Sequence, residues 1–220
     1  MDARGTWGNG MYFLTIILGA LIAVSIHELG HLLVARLLRV QVEGVTIGLG
    51  PELFSCTDRH GTRWRLGAWP IGGKCDFTRA NPTPGGVNTT SEVSIRSKAT
   101  IYFAGSASNL LLTLLCAVVA GWPDVKVPLV LDATPTPEGA LLILAFFSAS
   151  LGLFNLLPML PMDGGLLVLT ALERARGKGI SDITVTRLNR TGIAIIALAT
   201  VGILLYAVGV KYDCKTWCFM

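Results

Sequence analysis

Ala99 to Pro123 (25 residues), Gly139 to Met162 (24) and Thr191 to Val210 (20) are long runs without a charged side chain. A helix crosses the hydrocarbon of a bilayer in about 20 residues. Inside hydrocarbon every backbone N–H and C=O must be satisfied by the structure itself, so each run is read as a spanning helix. A fourth run starts at Met11 but reaches spanning length only by carrying His27, Glu28 and His31 within it, as far as Ala35. The expected fold class is an α-helical polytopic membrane protein with about four transmembrane helices. The expected spans are 11–35, 99–121, 139–162 continuing as a broken helix to about 172, and 191–210. All 220 residues are read as one intramembrane domain. Only 15% of residues are charged, against about 25% in a soluble domain, which agrees.

The first run is read as a retained span and not as a cleaved leader. Asp2 and Arg4 cancel at its start, and it is longer than the 7–15 residues of a leader's apolar region. Charge placement gives an orientation. Arg36 to Lys98 holds nine Lys and Arg, Glu173 to Arg190 holds five, and Trp122 to Glu138 holds one. Basic loops stay cytoplasmic, so both termini are expected on the non-cytoplasmic side of a bacterial inner or plasma membrane. A net charge of +4 distributed in this way points to topology and not to a nucleic-acid partner. The five cysteines form no Cys-x-x-Cys pair, so a thiolate zinc site has no support. Cys214 and Cys218 follow the last span, where a disulfide could persist.

Between spans one and two the pattern changes. "VEGVTIGLGP" (Val42 to Pro51) is rich in Gly and β-branched residues. From Arg63, two arginines alternate with Trp64 and Leu66. Alternation at period two argues for a strand with one wet and one apolar face. A β-region of one or two short hairpins is expected over about 42–78, associated with the membrane, followed by a polar loop at Asn81 to Ser91.

Ionisable side chains inside a span are expensive and mark function by default. His27 and His31 are four apart, one turn from each other on a helix face, with Glu28 directly after the first. This is the H-E-x-x-H pattern: two imidazoles for zinc and a carboxylate general base. A catalytic zinc needs a third protein ligand and an open position. The only other His, His60, lies in the polar hairpin, which leaves a carboxylate. Asp163, in "NLLPMLPMDGG", is the sole ionisable residue between Glu138 and Glu173. Pro158 and Pro161 break the helix before it, and broken helix at membrane depth is tolerated where it lines a cavity. The charge bias places His27 to His31 and Asp163 toward the same cytoplasmic face.

With these residues in view, the chain resembles the site-2 protease family of intramembrane zinc metalloproteases. The resemblance rests on His27-Glu28-Leu29-Gly30-His31, on "GSASN" (Gly105 to Asn109), on "NLLPMLPMDGG" (Asn155 to Gly165), and on "GLGP" and "PIGGK" in the β-region. It covers roughly residues 11 to 170. Ser106 stands where the family pattern has Pro, and Met162 where it has Leu; neither change removes a ligand. Larger members carry PDZ-type domains between spans two and three, which this chain lacks. The resemblance implies an endopeptidase with one zinc per chain on His27, His31 and Asp163, and Glu28 as its catalytic base. Its substrates are then membrane proteins, single-span ones first of all, cut whole or after an earlier cleavage. Asn155 is expected to hydrogen-bond the substrate backbone; Asn109 shares that role or supports the fold. The competing readings are a non-catalytic membrane scaffold or chaperone of the same fold, and a metal transporter. Against the transporter, the polar residues form one site and do not continue as a relay across the bilayer.

Overall fold

A computed structural model describes residues 3–77, 93–121 and 137–216, with side chains described from 11 to 207 except at positions 70 and 71. In chain order the elements are α1 (Ala3–Leu37), β1 (Val42–Thr57), β2 (Arg63–Phe77), α2 (Ile95–Val119), α3 (Pro137–Asn155), α4 (Asp163–Arg176) and α5 (Asp182–Thr216). Among the described residues, four helical segments are long and apolar enough to cross a membrane: Met11–Leu37, Ile95–Val119, Pro137–Asn155 and Asp182–Ala207. Their large apolar side chains are widely exposed, among them Phe13, Leu14 and Ile17 on α1, and Leu111, Leu114 and Leu115 on α2. In water such surface would be costly; facing lipid it is not.

Helices α1, α2 and α3 pack against one another, and α1 also packs against both strands. Ser94 caps α2, its hydroxyl accepting from the Ser97 N–H at 3.1 Å, which satisfies one of the orphan donors of the first turn. An apolar cluster joins Leu32 and Ala35 of α1, Val42, Val45 and Phe77 of the strands, and Ile101 and Tyr102 of α2. This cluster seats the strands on the end of α1, immediately beyond His31.

Helix α3 ends at Asn155, where the sequence suggested a span to 162. The reason is local: Pro158 and Pro161 disfavour helical geometry at the residues before them, and the chain turns through 156–162 before α4 begins. Helix α5 begins at Asp182, nearer the preceding loop than the uncharged run starting at 191.

The strands form one hairpin where one or two short ones were expected. Gly44 to Ile47 face Asp76 to Gly73 on one side and Arg63 to Leu66 on the other, whereas Glu52 to Thr57 pair with Gly67 to Arg63. Both long strands therefore bend back on themselves. The bend is at Gly48 and Gly50, whose φ values of 82° and 89° lie in the left-handed region open to glycine; a Cβ at either would strike Trp69. At the tip, Asp58 accepts from the N–H groups of His60 and Thr62 and from the Arg36 guanidinium of α1. The loop expected at 81–91 and the Cys214–Cys218 pairing lie outside the described residues.

Candidate metal centre

His27, Glu28 and His31 are buried, 5%, 4% and 5% exposed. Their helical spacing sets the two rings one turn apart, with Nε2 atoms 3.2 Å from each other. Asp163 comes from the first turn of α4, with Oδ2 3.0 Å from His27 Nε2 and 3.2 Å from His31 Nε2. Ligands held at 2.0–2.1 Å around a tetrahedral ion lie about 3.3 Å from one another. The observed triangle is close to that figure. No donor satisfies Asp163 Oδ2 with good hydrogen-bond geometry although it is buried. Three atoms of the kinds that ligate metals thus converge on one point, which suits a cation better than mutual hydrogen bonding. Among the described residues this is the one group of three or more His, Cys, Asp or Glu able to hold a metal.

Close approach makes the site possible, and glycines allow it. A Cβ at Gly30 would overlap the Ser108 hydroxyl of α2, and one at Gly105 would overlap the His31 ring. A Cβ at Gly73 of β2 would overlap the Glu28 carboxylate. Gly164 and Gly165 lie against the backbone of 156–160, so the turn folds directly onto the start of α4 and fixes Asp163. The far end of α4 is tied as well. Glu173 accepts from Lys98 Nζ of α2 at 3.3 Å with one oxygen, and from the Ile180 N–H at 3.3 Å with the other. The glycines and this ion pair were not singled out from sequence. The "PIGGK" and "GSASN" runs held the first signal; Lys98 and Glu173, opposite charges beside span ends, held the second.

The two asparagines part company. Asn155 closes α3, half-buried, with its amide donating to the Leu151 carbonyl at 3.0 Å. Asn109 is 0% exposed and sits behind His27, its Nδ2 3.3 Å from His27 Nδ1. Asn109 is thus fully buried against the His27 ring, in line with the second of its two expected roles, support of the fold. His60 is exposed at the hairpin tip, apart from the cluster.

Outside the spans, Cys75 and Asp58 are among the groups with shifted proton affinities. Burial, and then the neighbouring Glu28 and Asp76 carboxylates, push the Cys75 thiol well above its usual range, so it stays protonated and is no nucleophile. At Asp58 desolvation acts to raise the value. Hydrogen bonds from Trp64 and Arg36, with those from the Thr62 and His60 N–H groups, outweigh it and hold the carboxyl well below the usual range.

Residues 14–134 and 132–199 match the family described as Peptidase family M50. A relative in Brucella suis biovar 1 (strain 1330), carrying the name of a zinc metalloprotease, is 38% identical over 107 residues, covering 42% of this chain and 28% of its own length. The regulator of sigma-E protease RseP of Salmonella typhimurium is 34% identical over 132 residues, 57% of this chain and 29% of the relative. The chain therefore spans under a third of the length of these two relatives. The solved site-2 protease from Methanocaldococcus jannaschii has the same fold, with a TM-score of 0.51 at 20% identity over 89% of this chain and 68% of that one. Because the family match takes in most of the sequence, and the two histidines and the aspartate that the motifs single out meet at one point, the chain belongs to peptidase family M50.

Proposed function

We propose that this chain is an intramembrane zinc metalloprotease, holding one zinc per chain and hydrolysing peptide bonds in or near transmembrane segments of membrane proteins. The observation that carries this is the convergence of His27 Nε2, His31 Nε2 and Asp163 Oδ2 to within 3.0–3.2 Å of one another. Zinc held there supplies a Lewis acid for water and for a scissile carbonyl. Glu28 accepts the proton from the attacking water and returns it to the leaving amine. Its burial between α1 and Gly73 of β2 keeps the carboxylate in one place through both transfers.

A transmembrane helix hides its carbonyls in its own hydrogen bonds and must unwind before attack. The hairpin offers a place for the unwound segment. Gly73 to Phe77 pair with β1 on one side and with no described strand on the other, and this edge begins beside Glu28. An extended substrate added to that edge gains main-chain hydrogen bonds and passes the base. Asn155, at the end of α3, is assigned a hydrogen bond to the substrate backbone. The basic loops give the orientation: termini outside, site toward the cytoplasm, in a bacterial inner membrane.

The deciding experiment is elemental analysis of wild type and Asp163→Ala purified in mild detergent. About one zinc in the wild type and much less in the variant is expected. A folded wild type that takes up no zinc would overturn the enzyme reading in favour of a non-catalytic scaffold of the same fold.

A further inference from the structure

The outer nitrogens of the two site histidines are both held by α2, but by unlike partners. His31 Nδ1 lies 2.7 Å from the Ile101 carbonyl oxygen. A carbonyl only accepts, so His31 carries its proton on Nδ1 and keeps the Nε2 lone pair free. His27 Nδ1 has no such fixed acceptor. It faces the side-chain amide of Asn109, with Nδ2 at 3.3 Å, while the amide oxygen is buried and has no hydrogen-bond partner. In that orientation Asn109 donates, His27 Nδ1 accepts, and the ring proton falls on Nε2, where it blocks a cation. A half-turn of the amide reverses all three. The oxygen then accepts from Nδ1–H, and the Nε2 lone pair is free to point with those of His31 and Asp163. The oxygen gives up no hydrogen bond in turning, since it makes none.

We infer that Asn109 is a positioning residue for His27, presenting its amide oxygen to Nδ1 whenever the three-ligand site is loaded and so selecting the tautomer that can bind a metal. This rests on the zinc reading proposed above. The backbone carbonyl of Asn109 accepts from Ser148 Oγ of α3 at 2.9 Å and from Thr113 Oγ1 at 2.9 Å, contacts that do not involve the side-chain amide. Partners in this outer position fix ring orientation and raise ligand basicity, and their loss typically costs 10–100-fold in metal affinity.

The test is zinc affinity of the full chain in detergent, by competition with a chromophoric chelator, for wild type, Asn109→Leu, Asn109→Asp and Ser148→Ala. Asn109→Leu keeps the bulk and removes the acceptor, and should bind zinc about 10–100-fold more weakly. Asn109→Asp offers only acceptors and should stay within a few-fold of wild type or bind more tightly. Ser148→Ala disturbs the backbone contact of Asn109 but not its amide, and should leave affinity unchanged. Wild-type affinity in Asn109→Leu would overturn the assignment, as would an Asn109→Asp as weak as the leucine variant or an equal loss in Ser148→Ala. If Asn109→Leu does not fold, Asn109→Asp decides alone, because an amide that donates to His27 cannot be replaced by a carboxylate. A wild type without zinc overturns this inference together with the function beneath it, whereas a zinc-loaded wild type with indifferent variants overturns the Asn109 assignment only.

Discussion

Helices α1 and α5 have much the same apolar character and both reach spanning length, yet 33% of the apolar window of α1 is buried inside the protein against 6% for α5. Apolarity places a helix in a membrane; it does not decide what the helix touches. Lipid tails are as apolar as leucine, so helix association there relies on close packing and polar contacts. On α1, Gly30 lets α2 approach, and His27, Glu28 and His31 find partners on α2, α4 and β2. On α5 the inward contacts are few. Val185 is buried near its start, and the Gly192 backbone lies directly against the Leu160 carbonyl. Beyond that point Leu198, Ile203, Leu204 and Leu205 are all exposed.

The contrast can be broken first at the base. Glu28→Gln should lower cleavage of a membrane-embedded reporter by roughly 10²–10⁴-fold while elemental analysis still finds zinc; retained proteolysis would remove Glu28 from the mechanism. Next in size is the tie between α2 and α4. Lys98 and Glu173 are 10% and 13% exposed, and Lys98→Ala strands the carboxylate, which for a buried pair costs about 3–5 kcal/mol. Denaturation in detergent should register a loss toward the lower end of that range, and the double change to Met and Leu should recover most of it. A single substitution made in both helical environments then sharpens the comparison. Gly105→Ala drives a methyl into the His31 ring and should cost about 1–3 kcal/mol together with zinc. Gly202→Ala on α5 meets nothing within 4 Å and should be neutral or up to about 1 kcal/mol stabilising.

The smallest effect is at the hairpin tip, which is tied to the end of α1 with no counterpart on α5 among the described residues. Asp58 has its folded value below the roughly 3.9 of an unfolded Asp, so its contribution is complete above that pH and is lost as pH falls through the lower folded value. The melting temperature of the wild type should therefore exceed that of Asp58→Asn at pH 6, with the gap closing below about pH 4. A gap that does not narrow at all between pH 5 and pH 2.5 would mean the carboxylate is not what fastens the tip.

The parts of this molecule legible in its sequence are those governed by one rule acting locally. Uncharged length gives four spans, and an i, i+4 pair of histidines inside one of them is costly enough to announce itself. Asp163 is legible for the same reason, as the one ionisable residue in a long apolar context. What is not legible depends on approach in three dimensions. Nothing local distinguishes Gly105, which makes room for an imidazole, from Gly202, which faces open space. Asn109 reads as a polar residue in a span, but whether it meets substrate or a ligand depends on which way α2 turns. The bend of the hairpin is similar: its glycines signal turns, while the second pairing of Gly44 to Ile47 is a long-range outcome.

Helix α4 is short, yet it is fastened at both extremities: Asp163 to the histidines of α1 and Glu173 to Lys98 of α2. A rod clamped at one end can still spin about its own axis, whereas one clamped at two cannot. The azimuth of the Asp163 carboxylate is thereby set by Glu173, ten positions along the helix, and by the Lys98 on α2 that holds it. Torque applied to the loop leading into α5, where the Ile180 N–H shares the Glu173 carboxylate, is delivered to the same clamp.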